Sequence, residues 1–229
     1  MARPFFKNRD KAILFGALIL AVAFFLMPEK IQNTTKALPE EGAVSKPVPT
    51  EHWIGNPKAP VVIIQYSDTD CVYCAVFHTA VVKQLIATYG RQGELAWVYR
   101  HFPIANVNPN GAREALALEC VADTSNDPSK FWSMLDAIFE AKPLSPQTDP
   151  VNFIKTIAGL YGLSEAQLSK CENNNEFRTI IRNQSDEAIS AGAEGAPFMV
   201  VYANGEFTET ISGTRSLEQM QKIIDGYLK

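Results

Sequence analysis

Apolar and polar positions divide the chain into three unequal stretches. Residues 12–27, AILFGALILAVAFFLM, run for 16 positions without a charge or a strong polar group. As an α-helix this run would extend about 24 Å, slightly short of a ~30 Å hydrocarbon core. Lys11 and Lys30 flank it and can snorkel, and Pro28 stands at its exit. Residues 28–50, PEKIQNTTKALPEEGAVSKPVPT, hold four prolines and no aromatic residue, and show no amphipathic period. Such a stretch predicts an extended tether.

From residue 51 the periods are those of a mixed α/β domain. Residues 61–66, VVIIQY, form a β-branched run between Pro60 and Ser67-Asp68, which predicts a buried strand. Cys74, Phe77, Val81, Leu85 and Tyr89 then recur at helical spacing, with Asp70 as expected N-cap and Gly90 as expected C′ residue. Residues 96–102 read as a second strand ended by Pro103, completing a βαβ unit. Four helical segments follow: GAREALALECVAD, SKFWSMLDAIFEA, VNFIKTIAGLYG and SEAQLSKC, separated by SNDP and PLSPQTDP. A fifth helix over 177–191 carries Phe177, Ile180, Ile181 and Ile189 on one side. Strands over 198–202 and 206–211 are joined by Ala203-Asn204-Gly205, a tight-hairpin signal. Ser216 and Gln219 form a capping box for a last helix that buries Leu217, Met220, Ile223, Ile224 and Leu228.

Charge adds an orientation. The 229 residues are 46% hydrophobic and 20% charged with a net charge of −4, too apolar for a disordered chain. That mild acidity excludes nucleic acid as the main partner. Residues 1–11 alone sum to +3, leaving −7 for the rest. The basic tip 1–11 therefore reads as cytoplasmic, residues 12–28 as a single transmembrane anchor, and everything after them as extracytoplasmic. A cleaved signal peptide is the alternative, because Ala21-Val22-Ala23 has the spacing for cleavage. Cutting there would leave Phe24-Phe25-Leu26-Met27 at the new N-terminus, so the anchor is favoured.

Candidate chemistry gathers at Asp70-Cys71-Val72-Tyr73-Cys74. Two cysteines at this spacing on the first turn of a helix can close a small disulfide. The first of them faces free backbone N–H groups that favour a thiolate. A stabilised thiolate is a good leaving group, which makes the disulfide form a better oxidant. The position, after a buried strand and opening a helix, is the context that a redox motif requires. A second feature is Gly195-Ala196-Pro197-Phe198, a proline immediately before a strand, which as an isolated motif also suits an ordinary turn.

Together WIGNPKAPVVIIQYSDTDCVYC, VYRHFPI, REALALECVAD with SKFW, and GAPFMVVYANGEF resemble the DsbA family of thioredoxin-like thiol–disulfide oxidoreductases over residues 52–229. The resemblance implies a thioredoxin fold, its core formed by 51–104 and 176–229, interrupted by a helical insertion over 105–175. It implies that Cys71 is the exposed nucleophile, Cys74 its buried partner and Pro197 a cis-proline facing them. Ala196 would then contribute backbone contacts to a bound substrate, beside Val72 and Tyr73. It further implies a monomer that needs no cofactor, acts on reduced exported proteins at the periplasmic or cell-surface side, and is reoxidised by a quinone-linked membrane partner. Three positions depart from the family pattern: Val72 replaces the usual proline, Tyr73 stands where the best-known strong oxidant has histidine, and Gln65 replaces a frequent glutamate. Gln65 cannot exchange a proton with Cys74. These departures leave thiol–disulfide exchange intact and leave its direction open between oxidase and reductase or isomerase.

Cys120 and Cys171 are an even remainder, which in an oxidising compartment favours a structural disulfide over two free buried thiols. A metal carrier using Cys71 and Cys74 would need further ligands. No second Cys-x-x-Cys and no His-x-His supplies them, so no metal site is expected. His52, His78 and His101 each read as packing or surface residues, and Trp97 and Trp132 as core.

Overall fold

A computed structural model describes residues 44–125, 127–142 and 149–229. The expected tip 1–11, anchor 12–28 and first part of the tether lie outside these residues. Among the described residues, no helix is long and apolar enough to cross a membrane.

The elements in chain order are β1 (His52–Gly55), β2 (Val61–Ser67), a long helix α1 over residues 72–90, and β3 (Leu95–His101). The insertion contributes α2 (Gly111–Ser125), α3 (Pro128–Ala141), α4 (Pro150–Leu160) and α5 (Glu165–Glu172). The chain closes with α6 (Asn175–Ser190), β4 (Phe198–Ala203), β5 (Glu206–Ser212) and α7 (Leu217–Tyr227). The sheet order is β1-β3-β2-β4-β5, with β2 and β3 parallel and all other pairs antiparallel. That is the thioredoxin arrangement, with four helices inserted after the βαβ unit.

Both faces of the central strands are covered, which is why their sequences are almost continuously apolar. Val61, Ile63, Trp97, Tyr99, Met199 and Val201 point to the larger core, shared with α1, the insertion and α7. Ile64, Tyr66, Val98, Phe198, Val200 and Tyr202 point to the smaller one beneath α6. The β4–β5 hairpin turns at Asn204 (φ 52°) and Gly205 (φ 83°), the paired positive φ values that an Asn-Gly loop supplies.

Several expectations are corrected. Residues 44–50, assigned to the tether, lie against the domain: Val44 is buried, and its carbonyl accepts from the Tyr202 hydroxyl (3.1 Å). Arg100 fastens this segment, donating to the Ser45 carbonyl at 3.1 Å while bonding Glu51 and Glu187. Residues 52–55, given no strand by their pattern, form β1 because β3 offers an open antiparallel edge. Asp70 is not the N-cap of α1; Cys71 is, since the Asp70 carboxylate is drawn to Lys142 and Asn110. Gly90 does not end the helix in a left-handed turn. It closes a wide π-type turn instead, and Gly93 takes the positive φ of 77°. In α6 Ile189 is exposed and Ala188 is buried: Ala188 lies eleven residues, about three turns, after Phe177 and so shares its face.

Candidate active site

Strand β2 ends at Ser67, the chain crosses Asp68-Thr69-Asp70, and Cys71 begins α1. The extended backbone of Cys71 (φ −93°, ψ 117°) places its Sγ over the first turn, where it accepts the Cys74 amide N–H at 3.3 Å. One of the orphan donors of the helix N-terminus is therefore spent on sulfur rather than on a hydroxyl or carboxylate. The Sγ of Cys71 also lies 3.8 Å from the Ala196 carbonyl oxygen, and the Ala196–Pro197 peptide is cis. Residues 125 apart thus form the two walls of one site.

Both cysteines are thiols, and their environments differ. The Cys74 thiol beside Cys71, with the Cys74 and Tyr73 amides, lowers the Cys71 thiol to about 7, against the opposing effects of burial and the Asp68 carboxylate. Burial and the adjacent Cys71 sulfur push Cys74 well above the ordinary thiol range. Cys71 is only 7% exposed, so the nucleophile is more covered than the sequence suggested, and Cys74 is sealed. Their flanks are open: Val72 is 52% and Tyr73 75% exposed, two apolar side chains presented beside the sulfur.

A thioredoxin sequence model matches residues 47–226, most of the chain. The chain belongs to the thioredoxin family. It is similar to the probable disulfide bond formation protein D of Bacillus anthracis, 22% identical over 97% of this chain and 99% of that protein. It also matches the Na+/H+ antiporter NhaA 1 of Mycolicibacterium vanbaalenii, 28% identical over 56% of this chain but only 19% of the antiporter. Among solved structures, alpha-DsbA1 of Wolbachia pipientis superposes with a TM-score of 0.69 at 23% identity, covering 79% of this chain and 92% of that one. With Cys71 and Cys74 at the head of α1, this thioredoxin-family chain is a thiol–disulfide oxidoreductase.

Around the pair stand Gln65, Asp68 and Asp70, close to it along the chain, and Glu114 and Lys142, which no local signal marks. The Gln65 side chain is buried in β2, its Oε1 accepting the Trp97 indole N–H at 2.9 Å. Asp68 is buried three residues before the nucleophile. Its carboxylate accepts from the Ile104 amide, the Asn108 side chain and the Asp70 amide at 2.8–2.9 Å, and burial raises its proton affinity. Asp70 and Glu114 share the buried ammonium of Lys142, each at 2.6 Å. Burial pushes the Glu114 carboxyl up to about 7 in spite of that lysine, and its Oε2 accepts no hydrogen bond. Lys142 stands at the end of α3 and Glu114 in the first turn of α2, each more than 40 residues from Cys71. Only docking of the insertion brings them to the site.

Cys120 and Cys171 form a disulfide with a Cα separation of 5.7 Å, tying α2 to α5. His78 lies on α1 and bonds Asp136 at 2.6 Å. His52 and His101 converge on Glu119.

Proposed function

We propose that this chain is an extracytoplasmic thiol oxidase that donates the Cys71–Cys74 disulfide to reduced exported proteins. The observation that carries it is the asymmetry of the pair. One sulfur is stabilised as a thiolate by helix N–H groups and stands at the opening; the other is sealed beneath it. In the oxidised form a substrate thiolate attacks Cys71 Sγ, the Cys71–Cys74 bond breaks, and Cys74 leaves with the electron pair and takes a proton. A second substrate thiolate attacks the substrate sulfur of the mixed disulfide and expels Cys71 as thiolate. The substrate loses two electrons and the pair gains them. The Ala196 carbonyl and the exposed faces of Val72 and Tyr73 are the surfaces an extended substrate segment would meet.

Two observations support a location outside the cytoplasm. The Cys120–Cys171 bridge belongs to a class of bond that persists in oxidising compartments. The basic tip followed by the apolar run 12–27 has the pattern of an anchor that leaves the domain outside. A quinone-linked membrane partner would then reoxidise the pair, with the protein acting as a monomer.

A reductase on the same fold is favoured by one observation. Cys71 near 7 resembles the nucleophile of thioredoxin rather than that of the most oxidising relatives, at about 3.5. Equilibration of the pair in glutathione buffers separates the two. A potential above about −200 mV is expected, and one near −270 mV would give the reductase reading instead. Cys71→Ser should abolish thiol–disulfide exchange with a test protein in either case.

A further inference from the structure

We infer that His52, His101 and Glu119 form a binding site for one Zn2+ ion, held between the sheet edge and the helical insertion. His52 opens β1, His101 closes β3 and Glu119 points inward from α2. The two Nε2 atoms stand 3.0 and 2.9 Å from the same Glu119 oxygen, and the three ligand atoms all lie within 4.8 Å of one another. Ligands at tetrahedral positions about 2.0–2.1 Å from zinc are about 3.3 Å apart, so each Nε2–Oε1 separation need open by only about 0.4 Å, and the two Nε2 atoms, already within 4.8 Å, need settle to the same spacing.

The donor set selects the metal. Two imidazoles and one carboxylate suit zinc with a fourth position left for water, whereas calcium and magnesium require oxygen ligands throughout. Zinc has no redox chemistry of its own, so the ion would not compete with the dithiol for electrons. Each ring offers Nε2 to the metal in the tautomer that carries its proton on Nδ1.

The rings are already oriented. His52 stacks on Phe131 with centroids 3.5 Å apart and planes 6° from parallel. His101 meets Tyr99 and Phe131 edge-on at 5.3 and 6.0 Å, and its amide donates to the Gln184 side chain at 2.7 Å. The side chains of His101 and Glu119 are 1% and 8% exposed, while His52 at 14% leaves a path for the ion. Histidine and glutamate carboxylate are balanced without metal as a hydrogen-bonded cluster, and that is the outcome the experiment must separate.

The test uses the full chain carrying Cys71→Ser and Cys74→Ser, so that no free thiolate competes. After dialysis against Zn2+, one equivalent per chain is expected by elemental analysis, with a rise in the thermal midpoint. Co2+ in its place should give the visible bands of a four-coordinate site. His101→Ala and Glu119→Gln should each weaken Zn2+ binding by roughly tenfold or more. His78→Ala, which removes the one other histidine in the sequence, should leave binding unchanged. If His101→Ala fails to fold, His52→Ala at the partly exposed strand start reads the same loss. Retention of less than a tenth of an equivalent in the parent, or equal retention in Glu119→Gln and either histidine variant, overturns the site.

Discussion

The Lys142 ammonium stands 2.6 Å from the Asp70 carboxylate, so the helical insertion grips the residue that immediately precedes the nucleophile. The same ammonium meets Glu114 at 2.6 Å, and Lys142 and Glu114 are 3% and 1% exposed. Lys142→Met leaves the buried Glu114 and the part-buried Asp70 without their cation, which costs about 3–5 kcal/mol. Urea midpoints of the oxidised protein measure it. Adding Glu114→Gln should recover part of the loss, and a double variant as unstable as the two single losses combined would refute the coupling.

Glu114 also makes stability depend on pH. Its carboxyl is raised to about 7, whereas in the unfolded chain it titrates near 4.3. Between those values the native state holds a proton that the unfolded state has released, so stability falls as pH rises, by up to about 4 kcal/mol. Denaturation of the oxidised protein at pH 5 and pH 7.5 should show this slope. Glu114→Gln should flatten it; parallel profiles for the two proteins would contradict the assignment.

Cys71 should be alkylated by iodoacetamide with a rate that reaches half its plateau near pH 7, as its thiolate forms. Cys74 should stay unmodified in the folded protein across that range, because burial keeps it protonated. Mass spectrometry of quenched samples reads both sites. A Cys71 midpoint above about 8.5, the ordinary thiol value, would mean the helix N–H groups do not stabilise the thiolate.

Gly111 is required by Asp68. A Cβ there would stand 2.1 Å from Asp68 Oδ1, and that carboxylate is fixed by three hydrogen bonds. Gly111→Ala is expected to cost about 1–3 kcal/mol through displacement of the loop that carries Cys71. Gly226→Ala, in α7 with nothing within 4 Å, should instead stabilise by about 0.5–1 kcal/mol. Equal effects of the two substitutions in chemical denaturation would remove the steric argument.

The Cys120–Cys171 bridge closes a loop of 51 residues remote from Cys71 along the chain. Replacing both cysteines by serine should lower stability by about 4 kcal/mol on the chain-entropy model. The rate of disulfide exchange at Cys71 should stay within twofold. Loss of exchange in a variant that remains folded would show that the bridge acts on the site.

What the sequence by itself determined is local. The β-branched run of β2, the helical period after Cys74, the Asn204-Gly205 turn and the Ser216–Gln219 capping box each depend on residues within a few positions of one another. All are found where their patterns put them. The Cys71–Cys74 spacing at a strand-to-helix junction is legible for the same reason. The amides of Tyr73 and Cys74 that lower Cys71 are local too, whereas the groups that surround the pair from outside its own helix came from tertiary structure. The Ala196 carbonyl is 125 residues from Cys71, and Lys142 is 72 from Asp70. His52 and His101 meet Glu119 across separations of 67 and 18. Even the N-cap passed from Asp70 to Cys71 because a lysine on another helix claimed the carboxylate. Backbone periods are set by neighbours along the chain, whereas side-chain partners depend on strand register and on how the insertion packs, which no short window of sequence contains.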